Sequence, residues 1–277
     1  MTISATLRPR ALIGMVHVGA LPGSPRGSAS IGELACGAVG EANALAAAGF
    51  DAIILENMHD APYVNAPHGP ETVAAMTLVT VEVRRALPAM PLGIQILSTG
   101  EREALAVALV AGAQFIRCEN FVFAHVADEG LLATAAAGPL LRYRRAIGAE
   151  HVRIYADVKK KHASHAVTSD VPLADAVEAA AFFGADGVIV TGAATGRPTD
   201  VADVEAARGA TTLPVLVGSG VTPERASSLL RHADALIVGS WIKHGGVWSN
   251  AVDPSRARAM AEAVASARAE VASRGDG

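Results

Sequence analysis

The chain has 277 residues, 51% of them hydrophobic and only 4% aromatic, with a formal net charge of −4. That balance argues against a basic nucleic-acid footprint or an anionic-membrane face, and no run of about twenty residues is apolar without interruption, so no integral membrane segment is expected. The first ten residues hold no apolar leader core, and Cys36 and Cys118 lack metal-site spacing, so a cytoplasmic, reducing setting is expected.

Eight short apolar runs recur along the chain, each followed by a turn cluster and an Ala-rich stretch of helical period. In order they are "ALIGMVHV" from Ala11, "DAIILEN" from Asp51, "PLGIQIL" from Pro91, "AQFIRCEN" from Ala113, "VRIYADVK" from Val152, "DGVIVTG" from Asp186, "LPVLVGSG" from Leu213 and "DALIVGS" from Asp234. Near-continuous Val, Ile and Leu content fits strands covered on both faces, as parallel strands are. Eight such units in a chain of this length predict a single-domain (β/α)8 barrel, with its core over about 11–271 and short tails. A doubly wound open sheet is the alternative, but "GMVHVGALPG" lacks the Gly-rich first turn of that fold.

Helix boundaries have their own signals. Ser98 and Glu101 have capping-box spacing, and Thr222-Pro223 places an N-cap before a first-turn proline. Glycine stands between helix and strand in "AAAGFDA", "VAGAQFI" and "AFFGADG", where a left-handed C-cap is wanted.

Chemistry in this fold sits at the C-terminal ends of the strands. The strand exits offer His17, Glu56 with Asn57, Gln95, then Arg117, Glu119 and Asn120, then Asp157 and Lys159, and finally Thr191. The last two exits, "VGSGVTPE" and "IVGSWIKHGG", bring Gly218, Ser219 and Gly220, then Gly239 and Ser240, to the starts of helical segments. Small residues there let backbone N–H groups reach an anion, so a phosphate is expected at these loops. Period-two alternation aims Asp157 and Lys159 inward on the fifth run, and puts His17 on the face of Ile13 and Met15.

Lysine is scarce: Lys159, Lys160, Lys161 and Lys243 are the only four, and three are consecutive. Lysine, unlike arginine, can lose its charge when desolvated, which makes the run a candidate for chemistry. Lys159 is the expected ligand contact by direction, with Lys161 and Lys243 as further candidates. His59-Asp60 is either a catalytic pair or a capped turn, His162 and His165 are either ligands or loop residues, and "TGAATGRPT" with Arg197 is a candidate lid. The carboxylates Glu56, Glu119 and Asp157 could hold Mg²⁺, but without a tight ligand motif no metal or cofactor is expected.

The stretches "IGMVHVGALPGSP", "GFDAIILENMHDAPY", "GIQIL", "FIRCENFV", "IYADVKKKHASH", "VTGAATGRPT", "VLVGSGVTPE" and "GSWIKHGG" resemble the BtpA family (BtpA/SgcQ) over nearly the whole chain, from about residue 11 to about residue 260. That resemblance implies a barrel of the ribulose-phosphate-binding type, related to phosphosugar enzymes of tryptophan and histidine biosynthesis. One branch of the family is associated with photosystem I biogenesis; another sits among sugar-metabolism genes. The expectation is an enzyme for a phosphorylated sugar or ribosyl 5′-phosphate compound, with Asp157 as base and His17 or Lys159 polarising a carbonyl. Cleavage of a ribosyl C–N bond and a Schiff base on Lys159 or Lys161 are the other chemistries. A non-catalytic assembly factor for a membrane complex is the alternative, and a homo-oligomer is expected.

Overall fold

A computed structural model describes residues 7–192 and 198–274; the lid candidate around Arg197 lies outside them. The eight runs form one closed barrel of parallel strands: β1 (Ala11–His17), β2 (Ala52–Glu56), β3 (Leu92–Gln95), β4 (Phe115–Cys118), β7 (Arg153–Val158), β9 (Gly187–Val190), β10 (Val215–Val217) and β11 (Ala235–Val238). Helices α1 (Ile31–Ala48), α2 (Pro70–Ala86), α3 (Glu101–Ala111), α4 (Ala137–Ala146), α5 (Leu173–Phe182), α6 (Val201–Gly209), α7 (Pro223–Leu230) and α8 (Pro254–Arg274) follow the barrel strands in turn. The (β/α)8 reading stands.

Alternation divides the strand residues between two cores. Ile13, Met15, Ile54, Phe115, Tyr155, Ile189, Leu216 and Ile237 fill the barrel, while Leu12, Val16, Ile53, Leu55, Ile116, Ile154 and Val188 pack against the helices. Gly93 is forced by this packing, since a Cβ there would stand 2.1 Å from the Phe115 ring.

The start of the barrel carries a repeated brace. Asp51, Gln114, Asp186 and Asp234 each stand one residue before a strand: β2, β4, β9 and β11. Their side chains accept the backbone N–H of Leu12, Leu92, Ile154 and Val215 at 2.8–3.0 Å, and their own N–H groups donate back to the carbonyls of those four residues at 2.7–2.9 Å. Each is also bonded by an arginine: Arg268 of α8, Arg84 of α2, Arg144 of α4 and Arg208 of α6. These three aspartates and one glutamine therefore lock neighbouring strands in register.

The left-handed caps at Gly49 and Gly112 form as expected, and Thr222 caps α7 with proline at its first turn. The Ser98–Glu101 capping box does not form. Gly100 is the N-cap of α3, Ser98 turns its hydroxyl to Asn65, and Glu101 instead accepts the backbone N–H groups of Glu119 and Asn120. Three strands lie outside the barrel. β5 (His125–Ala127) and β6 (Gly130–Leu132) make a hairpin after β4, and β8 (Ala163–Ser164), from the loop after β7, pairs antiparallel with β5. This small sheet stands beside the mouth.

Candidate active site

Two residues beyond the last inward apolar layer, the same parity brings His17, Glu56, Gln95, Arg117, Asp157, Thr191, Gly218 and Gly239 to the top of the eight strands. Contacts within the ring agree with this placement. Arg117 donates to both Asp157 oxygens, Nε at 3.0 Å and Nη2 at 2.9 Å, and His17 Nε2 lies 3.6 Å from Glu56 Oε2. A Cβ on Gly218 would come within 3.5 Å of Arg117 Nη2, and one on Gly239 within 3.4 Å of His17 Nε2. Six polar side chains thus ring most of the mouth, and two glycines leave the β10–β11 side open.

The ring is electrostatically uneven. Burial, only partly offset by Arg117 and Lys161, pushes the Glu56 carboxyl up to about 7. Burial and the Lys243 ammonium push His17 down to about 3, so its imidazole is neutral. The Nδ1 atom lies 2.8 Å from the Trp248 carbonyl and must donate to it, which leaves Nε2 as an acceptor facing Glu56. Burial raises the Asp157 carboxyl too, and the two-point bond with Arg117 opposes that rise. Arg117, despite burial, is held above its ordinary value by Asp157.

The lysine run resolves differently from the alternation argument. Strand β7 ends at Val158, and Lys159 enters the left-handed region at φ 47°, which breaks the period of two. Its amine approaches the Thr168 carbonyl at 3.5 Å, so the inward direction expected for it from alternation does not hold. Lys160 pairs with Glu119 at 3.1 Å. Lys161 takes the mouth: its N–H donates to Thr191 Oγ1, and burial and Arg117 lower its ammonium pKa while Glu56 and Asp157 oppose them.

Three of the candidate ligand contacts hold bonds within the protein. Lys243 is fully buried and bonds Glu41 of α1 at 2.6 Å, tying the segment after β11 to that helix. Asn57 uses its amide on the Leu97 N–H and carbonyl and on Asp60, while Asp60 accepts the Leu21 N–H, so the loops after β1, β2 and β3 are clamped together. Asp60 is thus a clamp, while His59 lies against Trp248 with ring centroids 5.1 Å apart. Asn120 donates to the Thr134 carbonyl below the hairpin. Gln95 Oε1 and Asn120 Oδ1 are buried with no hydrogen-bond partner among the described residues and remain open to a ligand.

At the loops expected to hold phosphate, Thr199 donates to the Ser219 carbonyl, Gly220 has φ 62°, and a short 3-10 turn follows Gly239 from Ser240. Among the described residues no cluster of three or more metal-ligating side chains occurs. No described helix is long and apolar enough to cross a membrane.

Residues 8–266 match the BtpA family. An uncharacterized mitochondrial protein of Caenorhabditis elegans is 43% identical, over 88% of this chain and 89% of its own. A photosystem I biogenesis protein, BtpA, of Synechocystis is 38% identical, over 92% and 88%. Among solved structures, thiamine phosphate pyrophosphorylase of Pyrococcus furiosus superposes with a TM-score of 0.57 at 11% identity, covering 93% of this chain and 96% of that one. N-(5′-phosphoribosyl)anthranilate isomerase of P. furiosus gives 0.56 at 12%, covering 93% and 99%. At such identities the likeness is one of fold.

Proposed function

The chain belongs to the BtpA family, and from that premise we propose that it is an enzyme acting on a phosphorylated sugar or ribosyl phosphate by proton transfer at the barrel mouth. The observation that carries this reading is the ring itself, in which a Glu56 carboxyl poised at about 7 faces the free lone pair of a neutral His17. A general base works best when its pKa lies near the working pH, and such a group contributes about 10²–10⁴-fold to rate.

In this mechanism the ligand's phosphate lies on the Gly218–Gly220 and Gly239–Ser240 loops, where Gly218 and Gly239 present no Cβ at the strand ends. Glu56 removes a proton from a carbon beside a carbonyl. The Lys161 ammonium neutralises charge developing on the carbonyl oxygen. The protonated Glu56 then donates a hydrogen bond to His17 Nε2, whose ring the Trp248 carbonyl fixes, and returns its proton to the product carbon. Asp157, the base expected from the strand pattern, instead fixes Arg117 as a permanent cation on the ring wall. The structural neighbours that act on phosphate esters support the ligand class by analogy of fold only.

A second reading, a non-catalytic assembly factor, draws on the name of the Synechocystis relative. A screen of phosphorylated sugars against the wild type and Glu56→Gln separates the two. Turnover that falls at least 100-fold in the variant supports the enzyme. No turnover or binding of any phosphorylated sugar, inorganic phosphate included, sinks it.

A further inference from the structure

Beside the ring, between the β5–β6 hairpin, the turn after β7 and α5, lies a narrow, open-sided cavity with about 20 Å³ of room for groups the size of a water or a hydroxyl. Asp157 and Glu119 form its border with the mouth, and Val122, Phe123, Val158, Val171 and Ala176 supply apolar wall. His125, only 4% exposed, lines it, and its Nε2 has no hydrogen-bond partner among the described residues. A buried polar atom left unpaired is costly, so this nitrogen marks where a ligand atom would be held.

The remaining polar lining restricts what that ligand atom can be. Glu119 and Asp157 contribute −1 each and Lys159 and Lys160 +1 each, which sums to zero. Burial, then Lys160, pushes His125 down to about 4, so it adds no charge. Glu119 already pairs with Lys160, and Asp157 with Arg117. An anionic group would meet Glu119, and a cationic one Lys160. A hydroxyl suits all three, accepting from the ammonium while donating to the carboxylate or imidazole. His165 donates from Nε2 to the Lys160 carbonyl at 3.0 Å and so fixes the turn that carries Lys160.

We propose that this cavity binds the uncharged, hydroxylated end of a sugar-like ligand whose phosphorylated end lies on the β10–β11 side of the mouth. The cavity then selects polyol termini and rejects sugar acids and amino sugars at that end. This inference rests on the reading of the mouth as a phosphosugar site, and separate probes test the two.

The full chain, ¹⁵N-labelled at histidine and glycine, is titrated with erythritol, with glycolate and with inorganic phosphate. Erythritol is expected to shift the His125 Nε2 resonance and to bind at least tenfold more weakly to His125→Phe, while glycolate leaves the signal in place. An unmoved His125 resonance at saturating erythritol, or glycolate binding there instead, overturns the proposal. Should His125→Phe fail to fold, the wild-type resonance decides alone. Phosphate is read at the Gly218 and Gly239 amides. A phosphate response without an erythritol response sinks only the cavity, and the reverse sinks only the phosphate site.

Discussion

Replacing Glu56 by Gln tests the electrostatics of the mouth without needing a substrate. Burial moves this carboxyl from 4.5 to about 7, so between those values the folded protein holds a proton that the unfolded chain has lost. Stability from this group is therefore full below pH 4.5 and falls as pH rises toward 7. At about 1.4 kcal/mol per pH unit, the cost above pH 7 has a ceiling of about 3 kcal/mol. Glutamine keeps the shape and cannot ionise. The variant should match the wild type at pH 4.5 and exceed it by about 2–3 kcal/mol at pH 8.5. Glu101, also raised to about 7, and His17, lowered to about 3, titrate in both proteins and cancel in the difference. Urea unfolding at the two pH values measures it, as a rise in midpoint of about 1 M for a slope near 3 kcal/mol/M. An equal difference at both values, or a variant weaker at pH 8.5, would refute the account of Glu56 as a carboxyl held up by burial.

Arg117→Met should cost about 3–5 kcal/mol in urea unfolding by leaving Asp157 buried and unpaired, and adding Asp157→Asn should recover most of it. Gly239→Ala places a methyl beside His17 Nε2, on a backbone of φ −113° and ψ −86° that side-chain-bearing residues disfavour, so melting should fall slightly while phosphate binding by calorimetry weakens at least tenfold. Lys161→Met should lower turnover by about 10²-fold or more with melting unchanged, and Lys159→Met should lower it less than threefold. The opposite ranking would return Lys159 to the site.

Most of the ring can be read from the sequence, because strand parity is a local property. Once the eight runs are placed, counting in twos from Met15, Ile54, Phe115, Tyr155 and Ile189 reaches His17, Glu56, Arg117, Asp157 and Thr191. The count fails where the strand ends. Nothing in "DVKKKH" marks Val158 as the last extended residue, and one left-handed backbone at Lys159 moves the mouth position to Lys161. Lys243 and Asn57 read as ligand contacts because their partners are remote, Glu41 lying 202 residues from Lys243 and Leu97 lying 40 from Asn57. The hairpin has a local pattern in "HVADEGLL", but its pairing with Ala163 and Ser164 has none.

The brace at the barrel's start implies a unit of construction larger than one strand and helix. Its four copies use Asp or Gln before every second strand and arginine from every second helix, with α8 closing the series back onto β2. The chain is thus four tandem modules of two strands and two helices, the last handing its arginine to the first. At the opposite end the polar ring shows no such period. The two ends are built differently: the framework repeats one bonding scheme from module to module, whereas each position of the mouth is set singly.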